Sequence, residues 1–198
     1  MTLSIIVSVI TGIFAGYFFI PDVFVPYMDT FATIALNIII FLVGIDVGLN
    51  KGIFKDLKKH GNFLLLIPAS IIIGSLVGGL LTGWIFHIPA NISLAIASGF
   101  GWYSLSGILL TNLHSAEIGT IAFLTNVFRE LITVVSIPII AKYLNAYSTI
   151  APAGATSMDS TLPIISKYTS PEIVVIAFFN GALLSALVPI LVPFFYSL

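Results

Sequence analysis

Long apolar runs, separated by short polar or turn-forming stretches, set the rhythm of this chain. Residues 3–20 and 30–49 form two such runs, parted by Pro21-Asp22 and Pro26, and a third covers 62–86. Each is close to the roughly 20 residues that a helix needs to cross a bilayer. The pattern predicts three membrane helices in the first 86 residues. Gly74, Gly78, Gly79 and Gly83 recur at four-residue spacing in the third run, which allows close helix approach. Between the second and third runs, residues 50–60 carry Lys51, Lys55, Lys58 and Lys59, the densest basic cluster present. By the positive-inside rule this loop is cytoplasmic. The first run has no basic lead-in and no clear small-residue cleavage site, so it reads as a retained helix and not a signal peptide.

The second half follows a different pattern. Segments 91–113 and 146–165 are apolar but interrupted by Gly, Ser and Pro, and each is followed by a continuous run, 117–140 and 171–195. An offset of 55 residues superposes the two units: Gly99 on Gly154, Ser115 on Ser170, Glu117-Ile118 on Glu172-Ile173, Ile121-Ala122-Phe123 on Ile176-Ala177-Phe178, and Pro138 on Pro193. This indicates an internal repeat. The helix starts are marked by Ser115-Ala116-Glu117 and Ser170-Pro171-Glu172, each offering an N-cap hydroxyl and an acid in the first turn. Glu117 and Glu172 are therefore assigned structural roles.

Charge decides how the interrupted segments are placed. If both are re-entrant hairpins, Lys142 and Lys167 fall on the cytoplasmic side with every other loop lysine; if both cross fully, Lys142 falls outside. The expected architecture is an all-α integral membrane protein with about five transmembrane helices and two re-entrant or broken hairpins. The repeats then run in opposite directions, with N-terminus cytoplasmic and C-terminus outside. Residues 1–198 form one membrane domain, in which 1–86 act as scaffold and 87–198 form the transport site.

Composition narrows the classes of function. Of 198 residues, 59% are hydrophobic and 8% charged, and the mean hydropathy of +1.16 leaves too little charge for a soluble surface. A net charge of -1 without a basic stripe excludes nucleic acid as a partner. Zero cysteines exclude disulfides, thiolate metal sites and cysteine nucleophiles. His60, His87 and His114 sit at segment ends and lack metal-ligand spacing. No phosphate-binding glycine loop, nucleophile elbow or zinc-protease helix is present, so neither an enzyme, a cofactor nor a metal is expected.

Against this background two carboxylates stand out. Glu130 lies inside the run 118–140 and Asp159 inside 151–165. A charge at the centre of a membrane helix costs about 2.5–3.5 kcal/mol on insertion scales, so such residues face a cavity, a partner or a transported ion. Glu130 falls opposite Ser185 in the repeat and Asp159 opposite Ser104, so each unit contributes one acid and one hydroxyl. A low-dielectric setting favours the protonated form of a carboxyl group, the property that proton exchange uses. Asn126, Glu130 and Thr133 share a helix face, with Arg129 about 100° away. Thr156, Ser157 and Thr161, with Ser160, supply hydroxyls around Asp159.

Competing structural readings stand beside these. Arg129 can pair with Asp159 as an internal salt bridge, and Asp159 can cap a short helix ahead of Pro163. Asn180 is placed either at the site or as a helix-joining amide. Asp46 sits near a helix end, and Trp102 and Tyr103 anchor a hairpin or pack on substrate.

Four strings, Phe41-Leu42-Val43-Gly44-Ile45-Asp46, Ser98-Gly99-Phe100-Gly101-Trp102-Tyr103-Ser104, Asn126-Val127-Phe128-Arg129-Glu130 and 154–163 (Gly154-Ala155-Thr156-Ser157-Met158-Asp159-Ser160-Thr161-Leu162-Pro163), resemble the lysine exporter LysO family over roughly residues 30–196. The resemblance implies export of L-lysine and its toxic analogues across a prokaryotic inner membrane, driven by the proton gradient, with Arg129, Glu130 and Asp159 as the polar centre. Longer members carry further membrane helices ahead of this region. The chain therefore resembles the larger half of a split exporter, completed by a small membrane subunit or by a second copy. Lysine or another small cationic amino acid, protons and the lipid bilayer are the expected partners. Two rivals remain open: a sodium-coupled carrier of a small organic acid, and a non-transporting subunit of a larger complex.

Overall fold

The computed structural model describes residues 2–21, scattered positions between 24 and 45, and 61–198 without a break. The second predicted helix, Asp46, His60 and the lysine-rich loop lie largely or wholly outside the described residues. The described helices are α1 (Thr2–Phe19), α2 (Gly61–Ile85), α3 (Ala90–Ala97), α4 (Tyr103–Leu113), α5 (Ala116–Tyr143), α6 (Ile150–Ala153), α7 (Leu162–Tyr168) and α8 (Pro171–Tyr196). Short 3₁₀ turns at Tyr147–Thr149 and Gly154–Met158 flank α6. No strand occurs among the described residues. Three described stretches are long and apolar enough to span a membrane: Leu65–Ile85, Ala116–Tyr143 and Pro171–Tyr196.

The helix ends follow local chemistry. Ser115 caps α5 in extended conformation, its hydroxyl accepting from Ile118 N at 3.3 Å, and Glu117 sits in the first turn. Ser170 takes the equivalent N-cap place on α8, ahead of Pro171 and Glu172, yet its side chain makes no capping bond. Proline at the first helical position already supplies the entry φ and removes one donor that a cap would satisfy. Burial pushes the Tyr147 hydroxyl above its ordinary value, with the charge of Glu172 adding to the effect.

α8 forms the centre. Ile173, Ala177, Asn180, Leu184, Val188 and Val192 recur every three or four residues along it, and all are buried. Against it pack α3, α4, α7 and the Gly154–Met158 turn. α5 buries a narrower stripe, Gly119, Ala122, Asn126, Thr133 and Ile137, chiefly against α4. The outward faces are apolar: Ile73, Leu81, Trp84, Phe128, Ile132 and Ile190 are all exposed. Apolar residues on the outward faces as well as in the core are the arrangement a lipid solvent selects.

Both interrupted segments are helix–break–helix units. In the first, α3 and α4 are separated by residues 98–102, where Phe100 (φ 46°) and Gly101 (φ 107°) take left-handed backbone. In the second, the break lies at 154–161 and Gly154 has φ 60°. Each break packs on the long helix that follows it in sequence, so the two halves share one plan. The breaks meet at a point: Ala155 N donates to Phe100 O at 2.8 Å. These are the residues that the 55-residue offset superposes.

Candidate functional site

Two asparagines hold the breaks. On α5, Asn126 accepts from Gly101 N at 2.7 Å and donates to Ser106 Oγ (3.1 Å) and Ala122 O (2.9 Å). On α8, Asn180 donates to Gly154 O (3.0 Å) and Ser157 Oγ (3.1 Å). Both are buried. Unwound backbone loses its helical partners, and in a low-dielectric interior these groups must be satisfied by side chains. Asn126→Ala strands the Gly101 N–H, and the midpoint of thermal unfolding in detergent should fall by an amount equivalent to about 1–3 kcal/mol. Asn126→Asp, which keeps the acceptor, should lose less.

Beside this crossing lies a cavity of about 260 Å³ lined by Gly101, Tyr103, Ser104, Asp159, Ser160 and Ser185, among others. The structure thus gathers Ser104, Asp159 and Ser185, drawn from three separate segments. Ser160 N donates to Asp159 Oδ1 at 2.6 Å. The Ser160 side chain lies beside both the Asp159 and the Glu130 carboxylates, and the two acids are near enough to act on each other electrostatically. Two partly buried carboxylates of like charge therefore share one serine as a neighbour. Ser160, which the sequence treats as one hydroxyl among several, is the residue beside both.

The other predicted hydroxyls are committed to the fold. Thr156 Oγ1 donates to Ala153 O (2.9 Å), Ser157 Oγ to Gly154 O (2.8 Å) and Ala177 O (2.7 Å), and Thr161 Oγ1 to Thr156 O (2.8 Å). Thr133 Oγ1 bonds Arg129 O within α5 at 2.7 Å. Thr156, Ser157 and Thr161, buried and already donating to backbone, staple the second break.

Arg129 is placed differently from the salt-bridge reading. Its Nε donates to Pro152 O (2.9 Å), Nη1 to Ser75 Oγ (3.0 Å) and Nη2 to Ala151 O (3.3 Å), all neutral acceptors. No ion pair with Asp159 occurs among the described residues: the guanidinium bonds Ser75 of α2 and Ala151 and Pro152 of α6, whereas Asp159 lines the cavity with Ser104 and Ser185. Asp159 does not cap α7 either: Thr161 occupies that N-cap position, and the Asp159 carboxylate turns to Ser160 N. Tyr103 packs edge-on to Phe123, and Trp102 borders the acidic cavity. His114 ends α4 with Nδ1 3.3 Å from the Tyr196 hydroxyl. Among the described residues no group of His, Cys, Asp and Glu is arranged to hold a metal ion.

The family described as Lysine exporter LysO matches residues 6–196. The chain is 41% identical over 162 residues to "Lysine exporter LysO" of Escherichia coli (strain K12), covering 81% of this chain and 53% of that protein. It is 37% identical over 161 residues to "Putative lysine exporter" of Haemophilus influenzae (strain ATCC 51907 / DSM 11121 / KW20 / Rd), covering 80% of each. The chain thus spans about half the length of the Escherichia coli relative. No solved structure matches it.

Proposed function

This chain belongs to the lysine exporter LysO family, and from that premise we propose that it exports L-lysine, together with lysine analogues, across a prokaryotic inner membrane in exchange for protons. The observation that carries the reading is the proximity of Glu130 and Asp159, with Ser160 beside both, at a polar cavity by the crossing of two broken segments. The names of the relatives add the substrate.

When ionised, the two carboxylates hold an ammonium group; when protonated from outside, they release it. Competition between proton and substrate for one pair of oxygens enforces exchange. Ser104 and Ser185 complete the polar wall, and Ser160 holds both acids in register. The broken segments enter and leave on one side of the membrane and the repeats run in opposite directions. Movement of the repeats against the helices before residue 86 then alternates access. The N-terminus is cytoplasmic and the C-terminus outside. A small membrane subunit or a second copy of the chain supplies the further helices of longer relatives.

Proteoliposomes holding the purified chain should accumulate radiolabelled lysine under an imposed pH gradient, and collapse of the gradient with a protonophore should remove the effect. Flux that ignores the gradient would overturn proton coupling. One observation favours a sodium-coupled rival: Asn180 Oδ1 is buried beside the second break with no hydrogen-bond partner, and an unpaired acceptor near unwound carbonyls suits a cation. Replacing sodium by choline in the same assay separates the two, since only the rival stops.

A further inference from the structure

Arg129 borders two cavities, neither of them lined by Glu130 or Asp159. One, of about 230 Å³, includes Ser75, Gly78, Gly79, Thr125 and Asn126 in its wall; the other, of about 590 Å³, shares Ser75 and Thr125 and extends past Gly74. α2 carries two glycine pairs with different fates. Gly79 and Gly83 are pressed against Ser93 and Ala97 of α3, whereas Gly74 and Gly78 have open space where a side chain would stand. Glycine at the second pair keeps a space open beside a guanidinium.

A cation at membrane depth is costly to hold and is usually matched by an anion. Among the described residues the bonds of Arg129 all go to neutral oxygens, and a guanidinium carries more N–H donors than these occupy. Thr125 adds a hydroxyl with no hydrogen-bond partner among the described residues. The second break offers a carboxylate no such donors: Asp159 and nearby Glu130 repel it, and the Thr156, Ser157 and Thr161 hydroxyls already donate to backbone. Arg–carboxylate pairing is commonly bidentate and among the stronger polar contacts. The smaller cavity falls below the usual ~300–1,000 Å³ of drug-sized sites, so it fits one end of a small molecule.

We propose that the Arg129 cavity, with Ser75, Thr125 and the open glycine face of α2, is a carboxylate subsite that takes the carboxylate end of the amino-acid substrate. The substrate assignment rests on the transport reading; the carboxylate site itself does not.

Equilibrium binding on the full chain in phosphatidylcholine nanodiscs tests this with three radiolabelled probes: butyrate, L-lysinamide and L-lysine. Saturable butyrate binding should survive Glu130→Gln and weaken at least tenfold in Arg129→Gln, while lysinamide should show the opposite dependence. Because Arg129 also braces the break, Arg129→Lys and Gly78→Phe serve as independent variants. The first should retain butyrate binding by keeping the charge, and the second should abolish it by filling the cavity with Arg129 intact. Absence of saturable butyrate binding in the parent chain, or binding indifferent to both Arg129→Gln and Gly78→Phe, would overturn the subsite. Stoichiometric displacement of butyrate by added phosphatidylglycerol would overturn it in favour of a lipid-phosphate site. Butyrate behaving as expected while lysine fails to bind would uphold the subsite and sink the transport reading.

Discussion

Glu130→Gln and Asp159→Asn should each reduce gradient-driven lysine export to near background while leaving the protein folded and in the membrane. Removing one partner of a desolvated charge contact costs about 2–5 kcal/mol, which corresponds to a loss of roughly thirtyfold or more. Both substitutions are close to isosteric. Ser160 N bonds Asp159 Oδ1 at 2.6 Å, and the amide oxygen introduced by Asp159→Asn can accept the same bond. The amide oxygen of the Glu130→Gln variant likewise offers an acceptor to the neighbouring Ser160. Size-exclusion profiles and thermal midpoints should therefore match those of the parent chain. Normal transport in both variants would remove the acids from the mechanism. Loss of the folded protein before any loss of flux would instead mark the chain as a structural subunit.

Gly154→Ala should be the most damaging small substitution for stability. Its φ of 60° with ψ of -124° lies where residues with a side chain rarely go, and such strain costs about 1–3 kcal/mol. A Cβ there would also overlap Phe100 O and come within 3.1 Å of Arg129 Nη2. The neighbouring Ala155 N–Phe100 O bond is the one that ties the two breaks together, so the damage would pass to both halves. The expected result is a fall in thermal midpoint larger than that of Asn126→Ala, with little folded protein recovered. Gly74→Ala, on open space, should leave stability nearly unchanged.

Much of the helical layout is legible in the chain because apolar length and capping residues are local signals. The predicted runs 62–86, 117–140 and 171–195 appear as Gly61–Ile85, Ala116–Tyr143 and Pro171–Tyr196, within about three residues at their ends. The capping reading succeeded at Ser115 and stopped short at Ser170, where Pro171 made the hydroxyl unnecessary. The offset of 55 residues pointed to paired broken segments, since glycine and proline interruptions and helix starts are also written locally.

The candidate site was legible only in part. Glu130, Asp159 and Arg129 announce themselves because charge is expensive in an apolar run. Their partners do not: Ser157, Ser160 and Thr161 look alike in sequence, yet one lies beside two acids while the others staple backbone. Arg129 looked equally able to meet Asp159 or to turn away from it. The sequence places Asn126 on one face with Glu130 and Thr133, and Asn180 at the site or between helices, without saying which carbonyls or amides they clamp.

Local sequence was enough to set which of the described stretches are helical, where they are interrupted, that their outward faces are apolar and which charges fall inside apolar runs. Each of these depends on neighbours a few residues apart. Packing across the fold was needed to settle which groups meet: Phe100 with Ala155, Ser160 with Glu130 and Asp159, and Arg129 with α2 and not with the acids. Those contacts join residues up to 55 positions apart. They follow from the direction each break takes, which is set by left-handed backbone at Phe100, Gly101 and Gly154 and by the long helices packed against it.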